Sequence, residues 1–211
     1  MMKKIFPVLG LLALVMLLCS MARAETVPVS VSGKTESIVL AGGCFWGVEA
    51  VFEHTKGVVK AISGYAGGDA KRATYDQVSD GNTGHAEAVQ ITYDPSQISL
   101  QQLLDVYFKV AHDPTQLNYQ GPDHGTQYRS EIFTTATNQD ALVKGVMTEL
   151  EATKLYSQPI VTKVSALKAF YPAEDYHQNY LALNPHNPYI VMHDMPKLAK
   201  LRSTYPDLYK P

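Results

Sequence analysis

The order strand, helix, strand, strand, helix, strand, read from Ser37 to about Thr135, predicts an α+β chain. The expected architecture is a ferredoxin-like two-layer α/β sandwich with a split βαβ core and a mixed sheet, plus extra C-terminal helix and strand elements. Three observations predict it. "HAEAVQITYD" from His85 alternates with period two, as a half-buried strand does. "CFWGVEAVF" and "LQQLLDVYFKVA" repeat apolar residues at helical spacing. Glycine-rich breaks, "AGG", "GYAGG" and "SDGNTG", separate these stretches.

In order, "SIVLA" from Ser37 is a short apolar run ended by two glycines and reads as a buried strand. Cys44 then opens a helix whose Phe45, Val48 and Phe52 share a stripe, and Gly57 ends it. A second strand runs from Val58 to about Gly64, followed by a long loop that carries Tyr75. On the third strand His85, Glu87, Val89, Ile91 and Tyr93 share one side, which should meet the helices. Ser99 caps the second helix, with Leu103, Leu104, Val106, Tyr107 and Val110 as its apolar stripe. A polar stretch from His112 to Gln127 leads into a strand in "YRSEIFTT". A helix from about Asn138 to Tyr156, a strand from Ile160 to Leu167 and a short helix in "AEDYHQNYLA" complete the reading. Residues 37–211 are expected to form one domain.

The first 24 residues read as a cleaved export signal: Lys3 and Lys4, an apolar run from Ile5 to Leu18, and Ala22-Arg23-Ala24 before the cleavage point. Residues 25–36 read as a flexible tail. The signal holds Lys3, Lys4 and Arg23 of the 18 basic residues and none of the 20 acidic ones, so the mature charge is near −5. The longest basic cluster, "DAKRA", is short, which argues against nucleic acid and anionic membrane as partners. The expected location is the periplasm or outside the cell, without stable membrane insertion, and the expected state is a monomer.

Of the two cysteines, Cys19 lies in the signal, so Cys44 is the lone mature thiol. Exported proteins tend to pair their cysteines, and this one has no partner. At a helix start it meets the positive end of the macrodipole and unpaired N–H groups, which favour a thiolate. The two glycines before it are expected to leave the helix end open to a ligand. Phe45 and Trp46, at consecutive positions, cannot share a helix face, so one can pack inward while the other borders the cysteine. Glu87, on the apolar side of its strand, is expected to have a raised pKa and so to donate a proton. Tyr75 and Tyr128 are weaker signals. Asp123 in "GPDHG" is by default a turn former, while His177 in "YHQNY" is open equally to a role at the site and to that of a satisfied surface histidine.

Taken together, "GCFWG" at Gly43, "GYAGG" at Gly64, "TYDQVSDGNTGHAEAV" from Thr74, "GPDHGTQYRS" from Gly121 and "AEDYHQNYL" from Ala173 resemble the A-type peptide-methionine sulfoxide reductases, in order, across roughly Ser37 to Leu201. The resemblance implies reduction of methionine-S-sulfoxide. It implies Cys44 as nucleophile, Glu87 as the acid, and Tyr75 and Tyr128 as the hydroxyls that hold the oxygen. Phe45 and Trp46 become the pocket for the sulfur's methyl group, Asp123 an acidic site residue, and His177 a neighbour on the substrate side. No bound cofactor or metal is implied. Many relatives carry further cysteines near the C-terminus, whereas none follows Cys44 here and Ile190 stands where some place one. The sulfenic acid left on Cys44 would then need an external thiol, from a thioredoxin-like protein or a small molecule.

Two rivals of other classes remain at this level. A cysteine hydrolase would need a histidine aimed at Cys44. A non-catalytic binder of oxidised-methionine peptides would not need the thiol at all. A metal site has little support, because His177, His186 and His193 lie nine and seven positions apart.

Overall fold

The computed structural model describes residues 34–211. The expected signal, Cys19 and most of the expected tail lie outside the described residues. The central sheet contains β1 (Glu36–Ala41), β2 (Val58–Ala66), β3 (Ala86–Tyr93) and β6 (Glu131–Thr134). In space they run β6-β1-β3-β2, all antiparallel. α1 (Phe45–Glu53) joins β1 to β2, and α3 (Leu100–Val106), continued by a π-helical turn Tyr107–Ala111, follows β3. This is the expected split βαβ sandwich. β7 (Lys163–Ala166) adds to β6 in parallel and β8 (Phe170–Pro172) to β2 antiparallel, which makes the six-stranded sheet mixed.

Side-chain alternation on β3 sorts the two faces. Val89, Ile91 and Tyr93 join Ile38 and Leu40 of β1 in a core shared with Phe45, Val48 and Phe52 of α1 and Leu103, Leu104 and Val106 of α3. Ala86 and Ala88 turn to the other face, against Val39, Ala41 and Phe133. Each fully buried large apolar side chain contributes about 1.5–3 kcal/mol, so α1 is held mainly by its inward stripe. Ser99 caps α3 as expected: its hydroxyl accepts from the Gln102 N–H, while the Gln102 side chain accepts from the Ser99 N–H. Such a cap is worth about 1 kcal/mol.

Several boundaries differ from expectation. β1 begins at Glu36, whose carboxylate accepts from the Tyr93 hydroxyl at 2.7 Å. Tyr75 is not in a loop but opens the short helix α2 (Tyr75–Ser79). The strand expected from Tyr128 starts only at Glu131, because Thr126–Tyr128 form a 3₁₀ turn. α4 (Thr137–Ala152) ends before Tyr156. "AEDYHQNYLA" is two pieces, a 3₁₀ turn Asp175–His177 and α5 (Tyr180–Leu183), broken by Asn179 at φ +53°. A hairpin of β4 (Tyr119–Gln120) and β5 (Asp123–His124) lies within the polar stretch. A π-helical turn Ile190–Asp194 runs into the last helix, α6 (Met195–Thr204), and both contact α1.

Candidate active site

Cys44 sits at the N-cap of α1, 8% exposed. The glycines before it do not leave the helix end open, contrary to expectation. A Cβ on Gly42 would lie 2.7 Å from the ring of His112, and one on Gly43, at φ +92°, 2.6 Å from Cγ of Gln120. The space belongs to two bracing side chains. His112 Nδ1–H donates to the Tyr107 carbonyl at 3.0 Å, and its Nε2 accepts from Ser130 Oγ at 2.7 Å. Burial pushes His112 down to about 4, so the ring is neutral. Gln120 bonds Asp113 through both ends of its amide, at 3.0 and 2.9 Å.

Glu87, on β3 opposite Tyr65 of β2, is 2% exposed. Its Oε2 accepts the Phe45 N–H at 3.0 Å, so the carboxyl is tied to the peptide that directly follows the thiol. Burial pushes Glu87 up to about 8; the Phe45 N–H opposes this and the nearby charge of Asp123 adds to it. At neutral pH the carboxyl is mostly protonated, as expected from its strand face. The thiol departs from expectation. Burial pushes Cys44 well above the ordinary thiol range, the charges of Glu87 and Asp194 add to the shift, and the Trp46 N–H and Lys197 oppose it. One helix end is outweighed by the loss of water.

Tyr75 and Tyr128 converge on this pair from α2 and from the 3₁₀ turn. The backbone of Tyr75 is pinned by its N–H donating to Glu174 Oε1 at 3.0 Å. Burial raises both phenols, the charge of Glu87 is the next cause for each, and Cys44 also contributes to both. Asp123, expected as a turn former, does border a tight turn, but its carboxylate also accepts a hydrogen bond from the Tyr189 hydroxyl.

Phe45 packs inward, 1% exposed, while Trp46 is half-buried in an aromatic wall. The Trp46 ring stacks on Tyr180 at 3.8 Å and meets Tyr189 edge-on at 6.0 Å. Its Nε1–H donates to His177 Nδ1 at 3.1 Å. His177 is not a surface residue: it is 2% exposed, 5.0 Å from the Phe45 ring and 4.3 Å from Tyr75. Since Nδ1 accepts, the ring proton is on Nε2, a buried atom with no partner among the described residues.

The wall depends on residues that no local pattern singled out. Glu49 of α1 accepts the Ser63 N–H at 3.3 Å and the Asn179 N–H at 3.0 Å. Gln178 accepts from the Ser63 N–H at 3.1 Å and donates to the carbonyls of Ser63 and Ala173. These bonds fix the break between His177 and Tyr180. Tyr189 and Tyr180 join from positions far along the chain, and sequence spacing carries no trace of such contacts. Among the described residues no histidine bonds Cys44, so the hydrolase reading lacks its base, and no cluster of three His, Cys, Asp or Glu side chains could hold a metal ion.

The sequence profile described as "Peptide methionine sulfoxide reductase" matches residues 36–208. The chain belongs to that family. It is 56% identical over 175 residues to "Peptide methionine sulfoxide reductase MsrA 2" of Mesorhizobium japonicum, covering 83% of this chain and 90% of that one. Mxr1 of Saccharomyces cerevisiae in reduced form superposes with a TM-score of 0.69 at 37% identity, over 73% of this chain and 88% of that one. Methionine sulfoxide reductase A of Corynebacterium diphtheriae gives 0.64 at 40% identity, over 72% and 76%. Mxr1 in complex with Trx2 gives 0.50 at 27% identity, over 74% and 91%. This member of the peptide methionine sulfoxide reductases is therefore an oxidoreductase, and Cys44, Glu87 and the aromatic wall form its candidate site.

Proposed function

We propose that the chain reduces the S epimer of methionine sulfoxide in peptide linkage, with the free amino acid as a second possible substrate, and that Cys44 is the attacking atom. The observation that carries this reading is the Phe45 N–H to Glu87 bond of 3.0 Å, which sets a protonated carboxyl beside the thiol. The sulfoxide's methyl group rests against Phe45 and Trp46, and its oxygen faces Glu87, Tyr75 and Tyr128. Charge builds on that oxygen as sulfur attacks sulfur, so donors fixed in advance favour the transition state over the ground state.

The protons balance without a resting thiolate. Glu87 gives its proton to the oxygen, and the carboxylate so formed takes the proton of the Cys44 thiol as the sulfur–sulfur bond forms. Loss of the thioether then leaves the hydroxyl on Cys44 as a sulfenic acid. An external thiol condenses with it, releasing water and forming a mixed disulfide, and a second thiol frees Cys44 as a disulfide product departs. The net change is one sulfoxide and two thiols to one thioether, one disulfide and one water. Cys44 is the only cysteine among the described residues, which supports regeneration from outside. The complex of yeast Mxr1 with Trx2 supports a thioredoxin-like reductant. The N-terminal sequence supports export to the periplasm or beyond, and with it repair of exported proteins.

Separate epimers of a methionine-sulfoxide peptide, incubated with the chain and dithiothreitol, test the reading. We expect one epimer to lose oxygen with the wild type and neither with Cys44→Ser. Without reductant, each chain should yield about one thioether and a dimedone-trappable Cys44. Turnover by the serine variant would overturn it.

A further inference from the structure

α2, which carries Tyr75, has little of its own to hold it. It is five residues long, buries only the Val78 side chain, and its N-cap, Thr74, makes no side-chain cap bond. A helix this short is not stable alone. Its far end is tied to the turn that bears Tyr128: the Gln127 side-chain amide donates to the Ser79 carbonyl at 3.2 Å, and the Thr126 hydroxyl to the Gly81 carbonyl at 2.9 Å. Its near end is tied by Glu174, 99 residues further along the chain. Oε1 of Glu174 accepts the Tyr75 N–H at 3.0 Å, and Oε2 accepts the Tyr65 hydroxyl at 2.8 Å.

The second anchor is well placed. Tyr65 is fully buried on β2, directly opposite Glu87 on β3. The backbone around Glu174 is fixed as well: the Ala173 N–H donates to the Ser63 carbonyl of β2 at 2.9 Å, and the Glu174 carbonyl accepts the His177 N–H at 2.9 Å. One residue thus joins the first residue of α2 to the strand beside the acid and to the wall histidine, whose ring lies 4.3 Å from that of Tyr75. Burial pushes Glu174 up, but the hydrogen bonds it accepts, that of the Tyr75 N–H foremost, hold it below the ordinary carboxylate range. Both oxygens are therefore acceptors at neutral pH.

We propose that Glu174 is a positioning residue for the reduction: through its bonds to the Tyr75 N–H and the Tyr65 hydroxyl, it holds the Tyr75 phenol where the sulfoxide oxygen needs it. A donor aimed in advance needs no reorganisation as charge develops on the oxygen. Misplacing such a group by about 1 Å can cost about 10²-fold in rate. The loss of the clamp falls on the chemical step rather than on substrate binding, because the methyl group rests against Phe45 and Trp46. Glu174 acts only through Tyr75, so the proposal rests on the reading of Tyr75 as a holder of the oxygen.

A double-variant cycle on the full chain tests it, read as the single-turnover rate of thioether formation from a methionine-sulfoxide peptide without reductant. Tyr75→Phe removes one donor and should lower the rate at saturation about 10²-fold. Glu174→Ala should lower it at least about tenfold, with the half-saturating peptide concentration little changed. In the Tyr75→Phe background Glu174→Ala should cost nothing more, since no hydroxyl is left to aim. Glu174→Gln keeps an oxygen for the Tyr75 N–H and turns its NH₂ to the Tyr65 oxygen, so it should recover most of the rate. Glu174→Asp keeps the charge but falls one methylene short, and should behave as Glu174→Ala. The reverse order of these two would assign the role to charge and overturn the proposal. Circular dichroism checks folding, and where Glu174→Ala does not fold, Glu174→Asp takes its place in the cycle. An unchanged rate in Tyr75→Phe would sink the reading of Tyr75 itself, and the clamp with it. A lowered rate there, with either an unchanged rate in folded Glu174→Ala or losses that multiply in the double variant, would overturn the clamp alone.

Discussion

A carboxyl near pKa 8 and a thiol raised above its ordinary range stand on either side of the Phe45 N–H. Each would suppress ionisation of the other, and only a substrate oxygen that accepts a proton relieves both. The sequence shows half of this. Cys44 at a helix start and Glu87 on the apolar side of a strand were both legible from local pattern. The burial that keeps the thiol protonated was not, because a local pattern does not show what packs around the turn: His112 and Gln120 fill the space beside Gly42 and Gly43, and the charge of Asp194 adds to the shift, all from distant segments. Glu87→Gln keeps the acceptor for the Phe45 N–H but loses the proton. It should lower kcat/KM about 10²- to 10⁴-fold. The wild type should also lose activity as the pH rises through about 8, since the working form is the acid. A pH profile of kcat/KM on a sulfoxide peptide checks both, and an alkaline limb with the same midpoint in the variant would assign the acid elsewhere.

Helices and strands with a strong period were readable, because each buries one stripe or one face of its own. β1, α1, β2, β3 and α3 all lie where alternation and helical spacing indicated. The segment from Ala173 was not readable as built: its apparent helix is cut at Asn179, whose N–H is taken by a carboxylate on α1. β8, three residues long on a sheet edge, has too few positions to show a period. The cut matters for function, since it sends the His177 ring into the wall and lets Tyr180 stack on Trp46. In Glu49→Gln an amide NH₂ would face one of the two backbone N–H groups now bonded, leaving a buried donor unsatisfied at about 1–3 kcal/mol. The expected result is a raised KM for sulfoxide peptides with a smaller change in kcat, together with a lowered Tm. Unchanged KM in a folded Glu49→Gln protein would show that the wall does not depend on this clamp.

Over the whole molecule the same buried groups set how stability responds to pH. Glu87 at about 8 and Glu49 at about 7 both lie above the ordinary 4.5, so between about pH 4.5 and 8 the folded chain holds protons that the unfolded chain has released. Their contribution is fully present below about 4.5 and is lost as the pH rises through 7 and 8. His112 acts in the opposite sense: at about 4 against an ordinary 6.5, it favours unfolding as the pH falls from 6.5 towards 4. The two slopes meet in a maximum on the acid side of neutrality. Glu87→Gln removes one source of the alkaline loss without removing the Phe45 hydrogen bond. Thermal melts at pH 5.5 and 8.5 should therefore show a smaller drop in Tm for the variant than for the wild type. The difference should be several degrees, at about 2–4 °C for each kcal/mol in a chain of this size. Should the variant keep the full drop, the carboxyl of Glu87 would not be the buried proton carrier, and the acid step of the reaction would lose its physical basis.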